Sequence, residues 1–345
     1  MSRLRDLGER QIIREIVSKF VSRGFGSDCA DWRPKGPILV TSVDPVPPAA
    51  AEVIGRDPDW YWKGWLLVTI NASDIAASGG EPECFVAAID AHADSEVAAF
   101  ERLLNGIRDA CAEYGFEYVG GNIREAERFA AVGTAIGSGG SELLSRFGAT
   151  PGDKVYVVGA IGAFWTDGLS LLDGGIIEEP ERSPVFKPIA ATNAMRSIAK
   201  AGVASCAMDN SDGLLPTLEQ LAEANNQRIA LDLDALRENR ASIKYQGVPV
   251  DGARLCMGWG DWNVVISVPT ENEGQLKSIA DECGFDVTYC GSVLEGRGLV
   301  VGSATDGQGD APRIESERFC TDSWFGGGIE GYVRMLLETE IPKRV

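Results

Sequence analysis

Histidine is nearly absent: a single one, His92, stands in a chain of 345 residues. It lies between two acids in Asp90-Ala91-His92-Ala93-Asp94 and reads as a surface side chain, which leaves Ser-His-Asp catalysis and zinc chemistry little to build on. Cysteine occurs eight times, at 29, 84, 111, 206, 256, 283, 290 and 320, without one C-x-x-C pair. Scattered single thiols read as reduced, mostly buried residues of a cytoplasmic chain. There is no G-x-x-x-x-G-K-[ST], which excludes a P-loop enzyme, and no G-x-S-x-G. No apolar run approaches the ~18 residues that a transmembrane helix needs, and the opening MSRLRDLGERQIIREIV reads as an amphipathic helix rather than a signal peptide. Positive charge is scarce as well: 32 Lys and Arg against 51 Asp and Glu give a formal net charge of −19. With no basic patch to offset it, that field repels polyanions, so neither nucleic acid nor a membrane is an expected partner.

What remains is an ordinary globular composition, 44 % hydrophobic and 24 % charged. The length exceeds what one growing core usually supports and predicts two domains of roughly 150 to 190 residues. The clearest turn cluster at mid-chain, Gly148 to Gly152 (GATPG), sets the expected boundary, giving residues 1–149 and 150–345. In the first part a Gly-rich loop, Gly24 to Asp31, precedes an apolar strand at Ile38 to Thr41, and Pro45 to Trp62 reads as a long loop. Apolar residues at helical spacing over Lys63 to Ser78 stop at Gly79-Gly80, and Asn71 and Asp74 share a face of that helix. A strand at Cys84 to Ile89, a helix at Ser95 to Tyr114 and strands at Tyr118-Val119 and Arg128 to Gly137 follow. The second part restarts with a strand, Lys154 to Gly159, and carries helices around Ile189 to Ala201 and Leu214 to Ala224. The last of these is preceded by Asn210, Ser211 and Asp212, which are good capping residues.

Two constellations carry chemistry. Asp28, Asp44, Asp74, Asp209 and Asp212 each stand among Gly, Ser or Asn at the end of an element. Such positions suit caps and turns; should the carboxylates converge, they suit a hard divalent cation that neutralises a transferring phosphoryl group. The second is Gly120-Gly121-Asn122, expected to follow a strand, with Arg124 close behind. Paired glycines there are either a tight turn or a set of backbone amides that cradles phosphate.

In order and spacing these pieces resemble the thiamine-monophosphate kinases over nearly the whole chain. The family's GDDCA is similar to Gly26-Ser27-Asp28-Cys29-Ala30, its STDT to Ser42-Val43-Asp44-Pro45, and its N-L-S-D-L-A-A-M-G-A-x-P to Asn71 through Pro82. Its V-G-G-D resembles Val119-Gly120-Gly121-Asn122, R-x-G-A-x-P-G-D-x-x-Y-V matches Arg146 through Val157, and I-D-x-S-D-G-L resembles Met208 through Leu214. The resemblance implies an α/β (α+β) chain with the two-domain, PurM-like architecture shared with aminoimidazole-ribotide synthase, the N-terminal sheets of two subunits joining in a homodimer. It implies ATP in a cleft between the domains with its phosphates held by Mg²⁺. By position, Asp28, Ser42, Asp44, Asp74, Asn122, Asp209 and Asp212 would serve the metals, with Asp44, Asp74 and Asp212 closest to the chemistry. Gly121, Asn122, Arg146 and Ser211 would contact ATP, and Asp261 and Trp324 a phosphorylated or aromatic small-molecule substrate.

The departures from the family pattern cluster at the same places. Ser27 and Asn122 stand where the family has aspartates, each removing one negative charge, and Gly260 stands where G-G-E-D-Y-E-L has its glutamate. The loop expected to carry a substrate histidine reads Pro47-Pro48-Ala49-Ala50-Ala51. Three functions follow as expectations: an Mg-ATP phosphotransferase acting on thiamine phosphate or a changed acceptor, an ATP-dependent amide- or carboxylate-activating synthase of the same superfamily, or a nucleotide-binding protein with impaired catalysis.

Overall fold

A computed structural model of the chain describes residues 2–22, 29, 32–302, 309–312, 314 and 327–341; Ser27, Asp28 and Trp324 lie outside this set. The chain divides into two compact units, one of residues 1–75 and 80–143, the other of residues 76–79 and 144–345. Both mix helices with sheet, as the α/β (α+β) reading anticipates.

The first unit begins with two short helices, α1 (Leu4–Leu7) and α2 (Glu9–Glu15), and continues through β1 (Ile38–Pro45), α3 (Ala50–Val53), α4 (Trp60–Ala77), β2 (Glu81–Ala91), α5 (Val97–Tyr114), β3 (Glu117–Glu125) and β4 (Ala130–Gly139). The sheet order is β1-β4-β2-β3, antiparallel except for the β2–β3 pair, whose parallel crossover is α5. Such a connection needs a helix because parallel neighbours cannot be joined by a tight turn. The segment read as a long loop contains α3, and α4 begins three residues before Lys63; Ala49 and Ala51, 2 % and 0 % exposed, pull that stretch into the core.

Helices α4 and α5 pack against each other through a reciprocal glycine contact. A Cβ on Gly64 would stand 2.1 Å from the Leu103 carbonyl oxygen, and one on Gly106 would stand 2.1 Å from that of Tyr61. Only hydrogen fits at either place. Around this crossing Trp65, Leu103, Leu104 and Ile107 are buried, and the Tyr114 and Thr69 hydroxyls lie 2.9 Å apart. On β1 Ser42 is buried and its neighbours on the same side, Val40 and Asp44, are half-buried, whereas the alternate residues Leu39 and Val43 are 50 % and 60 % exposed. Along one strand, alternation thus separates a packed face from an open one.

The second unit runs β5 (Lys154–Val158), α6 (Ala163–Leu172), α7 (Thr192–Ala201), β6 (Cys206–Asp209), α8 (Leu214–Asn225), β7 (Arg228–Leu231), α9 (Leu233–Asn239), β8 (Ile243–Tyr245), β9 (Val248–Val250), α10 (Gly252–Met257), β10 (Val264–Val268), α11 (Glu273–Cys283), β11 (Val287–Leu294), β12 (Gly298–Val301), β13 (Gly309–Asp310) and α12 (Gly328–Glu338). Seven of its strands form one sheet in the order β13-β12-β7-β11-β5-β10-β6, and β8 and β9 make a separate hairpin. Tyr156, Val158, Val264, Ile266 and Val268 meet Met195 and Ile198 of α7 and Leu276 of α11 in a dry core. The GATPG turn is fixed by buried Asp153, whose carboxylate accepts from the Thr150 amide at 3.1 Å and from the Ser205 and Ser267 hydroxyls at 2.7 and 2.9 Å.

The glycine crossing yields a stability test. Gly106→Ala forces a methyl group into backbone that cannot withdraw without parting two helices, so we expect a loss of about 2 kcal/mol or more in urea unfolding. Gly274→Ala, inside α11 where a Cβ meets nothing within 4 Å, serves as the control for glycine replacement as such.

Candidate functional site

In the first unit the end of β1 and the last turns of α4 bring together a set of oxygen donors. The Ser42 hydroxyl donates to Asp74 Oδ2 at 2.5 Å and lies 3.3 Å from Asn71 Oδ1. Asn71 Oδ1 also accepts from the Asp44 amide at 3.1 Å, while its Nδ2 donates to the Leu67 carbonyl at 2.9 Å. Asn71 is fully buried, and Gly133 across from Asp44 leaves it room: a Cβ there would stand 2.6 Å from Asn71 Nδ2. Ser42, Asp44 and Asp74 therefore form one neighbourhood, with Asp44 and Asp74 half-buried.

Gly121 and Asn122 are elsewhere. They lie inside β3 rather than in a loop after it, paired with Ala87 and Ala88. The row Asp44–Gly133–Ala87–Gly121 crosses the whole sheet, and three strand spacings put its two ends about 14 Å apart. A β-bulge falls between Phe85 and Val86, where β2 meets β3. Beside it Gly121, at φ +151°, comes so close to Ala87 that a Cβ would stand 1.8 Å from the carbonyl oxygen. The glycine pair thus serves strand pairing first. Arg124 is engaged as well, its guanidinium pairing with Asp90 at 2.5 Å.

In the second unit β6 ends at Asp209, and the loop Asn210 to Gly213 leads into α8. The cap is Gly213, and no side chain caps the helix. Asn210 turns inward instead: its Nδ2 donates to Asn263 Oδ1 at 2.8 Å, its Oδ1 accepts from the Thr217 hydroxyl at 3.0 Å, and its amide donates to the Asn263 carbonyl at 3.0 Å. Asn263 Nδ2 in turn donates to the Ala160 carbonyl at 2.6 Å. Gly213, at φ +103°, abuts the segment Met257 to Trp259, where a Cβ would lie 2.8 Å from the Met257 carbonyl. This lattice fixes the loop, and Asp209, Ser211 and Asp212 stand half-buried along it. Asp212 also lies near Tyr332, a buried phenol that accepts from the Trp259 amide at 3.2 Å. Burial raises the Tyr332 pKa, and the Asp212 charge pushes it the same way.

Asp261 is 5 % exposed, and its carboxylate accepts from the Gly162 and Phe164 amides at 2.6 and 2.7 Å, closing the first turn of α6. Its neighbour Gly260 sits at φ +114° with the Phe164 ring where a side chain would be, 2.4 Å from the position of a Cβ. Trp262, on the other side, takes a left-handed φ of +52°. Phe164, Trp165, Trp259 and Tyr332 pack ring to ring at 4.9 to 5.6 Å. Nothing in the sequence pointed to Phe164 or Asn263; the one available signal was the glycine at 260. Arg146 is exposed, and its carbonyl accepts from Asn225 Nδ2 at 2.8 Å. Asn225 is the last residue of α8 and Asp212 lies just before the first, so the length of the helix, about 16 Å, separates the Arg146 backbone from Asp212.

Among the described residues no three His, Cys, Asp or Glu side chains gather as a ready metal-binding group. What each unit does offer is oxygen: a hydroxyl, an amide carbonyl and two carboxylates in the first, two carboxylates and a serine in the second. That donor chemistry fits a hard cation whose shell is completed by phosphate oxygens and water.

The chain matches the N-terminal domain of AIR synthase related proteins over residues 26–138 and their C-terminal domain over residues 150–303. It is 30 % identical to the thiamine-monophosphate kinase of Pyrococcus horikoshii over 298 residues, covering 85 % of this chain and 90 % of that one. With the thiamine-monophosphate kinase of Halobacterium salinarum the identity is 33 % over 266 residues, 76 % and 83 % of the two chains. Among solved structures it is similar to AaThiL complexed with AMPPCP and TMP, at 26 % identity and a TM-score of 0.63 over 89 % of this chain and 98 % of that one.

The buried Asp261 predicts a pH dependence of stability. Burial lifts its carboxyl from the ordinary 3.8 to about 6, against the opposing pull of the Phe164 and Gly162 amides and of Arg240. Between those two values the folded chain holds a proton that the unfolded chain has lost, so this group's contribution declines as pH rises from about 4 to about 6 and is level above. The full span is on the order of 3 kcal/mol. Urea unfolding at steps across that range should show the decline in the parent chain and lose it in Asp261→Asn.

Proposed function

Because this chain belongs to the AIR synthase related proteins and, among them, to the thiamine-monophosphate kinase family, we propose that it transfers the γ-phosphoryl group of Mg-ATP to a small phosphorylated acceptor, thiamine monophosphate or a close analogue. The observation that carries this reading is the oxygen cluster of Ser42, Asn71 and Asp74 beside Asp44, held by a fully buried asparagine. Phosphoryl transfer asks little covalent chemistry of a protein; it asks for position and for offset of charge on the transferring group. In this assignment Asp44 and Asp74 in the first unit and Asp209 and Asp212 in the second hold Mg²⁺, with Ser42 orienting Asp74, and Asp44, Asp74 and Asp212 act nearest the reacting phosphate. Bound Mg²⁺ supplies the positive charge that lets carboxylates and phosphate oxygens lie side by side. Ser211 and the Gly121-Asn122 backbone contact ATP, and Arg146 reaches the phosphates with an exposed side chain. The roles of Asp28 in metal binding and Trp324 in substrate binding rest on the motif resemblance alone.

The acceptor side favours a changed specificity. The Phe164 ring fills the space beside Gly260 in which the family carries a glutamate, and Ala49 and Ala51 are core residues where a substrate histidine was expected. The absence of that carboxylate weakens any preference for a cationic ring. The function of Asp261 in this reading is indirect: by closing α6 it sets the Phe164 ring beside Gly260.

The exposed apolar residues Leu39 and Val43 on β1 and Val132 on β4, 50 %, 60 % and 37 % exposed, support a homodimer joined through the open face of the first sheet. The seven described cysteines are all free thiols, and no described helix is long and apolar enough to cross a membrane; both agree with a cytoplasmic enzyme.

With labelled ATP and Mg²⁺, the γ-phosphate should appear on the acceptor, and removal of the metal by EDTA should stop its appearance. Asp212→Asn should lower kcat on the order of a hundredfold while the protein remains folded. ATP binding without transfer to thiamine monophosphate or any related phosphate ester would overturn the kinase assignment, and loss of water from the substrate would indicate the synthase chemistry instead.

A further inference from the structure

The second unit has a cavity of about 440 Å³ that the proposed chemistry does not use, lined by Lys154, Tyr156, Glu273, Lys277, Val287 and Tyr289. It opens between α11 and the strands β5 and β11. Within the sheet, Val158 at the end of β5 is level with Val264 and Asp209, whereas Lys154 at its start is level with Val268 and Ser292. Val287, which also lines the cavity, pairs with Val158 and so is level with Asp209, but β5 and β10 lie between them, and three strand spacings put the two about 14 Å apart.

Its floor is aromatic. Tyr156 and Tyr289 are strand partners, and their rings meet edge to face at 5.7 Å. The charges above that floor are unequal. Glu273 is already engaged, accepting from the Tyr156 hydroxyl at 2.5 Å. Among the described residues Lys154 has the Ser292 hydroxyl at 3.3 Å and the Tyr289 ring centroid at 5.9 Å and no ion-pair partner. Lys277 lies one helical turn after Glu273 on the same side of α11, and among the described residues it has no ion-pair partner. In a chain with 51 acidic side chains to 32 basic ones, a hollow lined by two lysines and one carboxylate, itself already bonded to a tyrosine hydroxyl, is a local reversal of sign, and such a spot concentrates anions.

We propose that this cavity is a second small-molecule site, selective for an organic anion with an aromatic body, of the aryl phosphate or aryl carboxylate class. The ring stacks over Tyr289, and the anionic group lies between the ammonium groups of Lys154 and Lys277. Two point charges with rotatable donors suit a phosphate or carboxylate without imposing one orientation. The apolar floor adds what a free inorganic anion cannot use.

The test uses 4-fluorophenyl phosphate with the full chain, followed by fluorine NMR with and without saturating Mg-ATP. Saturable binding that Mg-ATP leaves unchanged is expected, with inorganic phosphate and 4-fluorophenol each competing poorly. Lys277→Glu and Lys154→Met should each weaken binding at least tenfold, and Asp212→Asn should not alter it. Lys277 is exposed, so its variant keeps the test decisive should Lys154→Met fold poorly. Equal affinity in Lys277→Glu, displacement by Mg-ATP, or no saturable binding would overturn the proposal.

Discussion

The oxygen cluster of each unit depends on a buried amide side chain that has to find all its partners inside the protein. Asn71 spends its carbonyl on the Ser42 hydroxyl and the Asp44 amide and its NH₂ on the Leu67 carbonyl. Asn210 divides itself between Asn263 and Thr217. Leaving either unsatisfied in the interior costs on the order of 1–3 kcal/mol per group, so the segments around them have little freedom to rearrange. The aspartates beside them inherit that rigidity. A phosphoryl-transfer site needs such fixed geometry because carboxylates that wandered with their loops would be held off by one another's charge.

The legible part of the fold was its periodicity. A long amphipathic run such as α5, a long apolar one such as α4, and buried strands such as β2 and β5 announce themselves through composition and spacing, because burial is what makes them stable. Segments whose conformation is decided by neighbours far along the chain did not. The stretch around Ala49 to Val53 looked like loop because proline and alanine carry no pattern, yet the core claims it. Asn210, Ser211 and Asp212 have the chemistry of a helix cap, but the demand of a buried partner, Asn263, outweighs the local capping bond.

The candidate site was legible where its residues stand on one element or at the facing ends of two. Asn71 and Asp74 share a face of α4 as their spacing suggested, and the structure sets Ser42 and Asp44 beside them. Gly121 did not join them, because a position in sequence says nothing of which edge of a sheet a strand will occupy; β3 lies at the edge opposite β1. Arg146 is a similar case, pinned by Asn225 at the far end of α8. Gly260 was visible as a departure, but its reason, the ring of Phe164 a hundred positions away in a different helix, is a fact of packing.

The paired glycines of α4 and α5 bear on how the chain tolerates change. Two helices whose backbones touch behave as one stiff bar, and Asn71 and Asp74 ride on that bar two to three turns beyond the contact at Gly64. The placement of oxygens at the sheet edge is therefore set partly by two absent methyl groups in a region with no chemistry of its own. Substitutions there would leave Asn71 and Asp74 intact and still shift the two together, so damage would register as a misplaced carboxylate as well as a less stable protein.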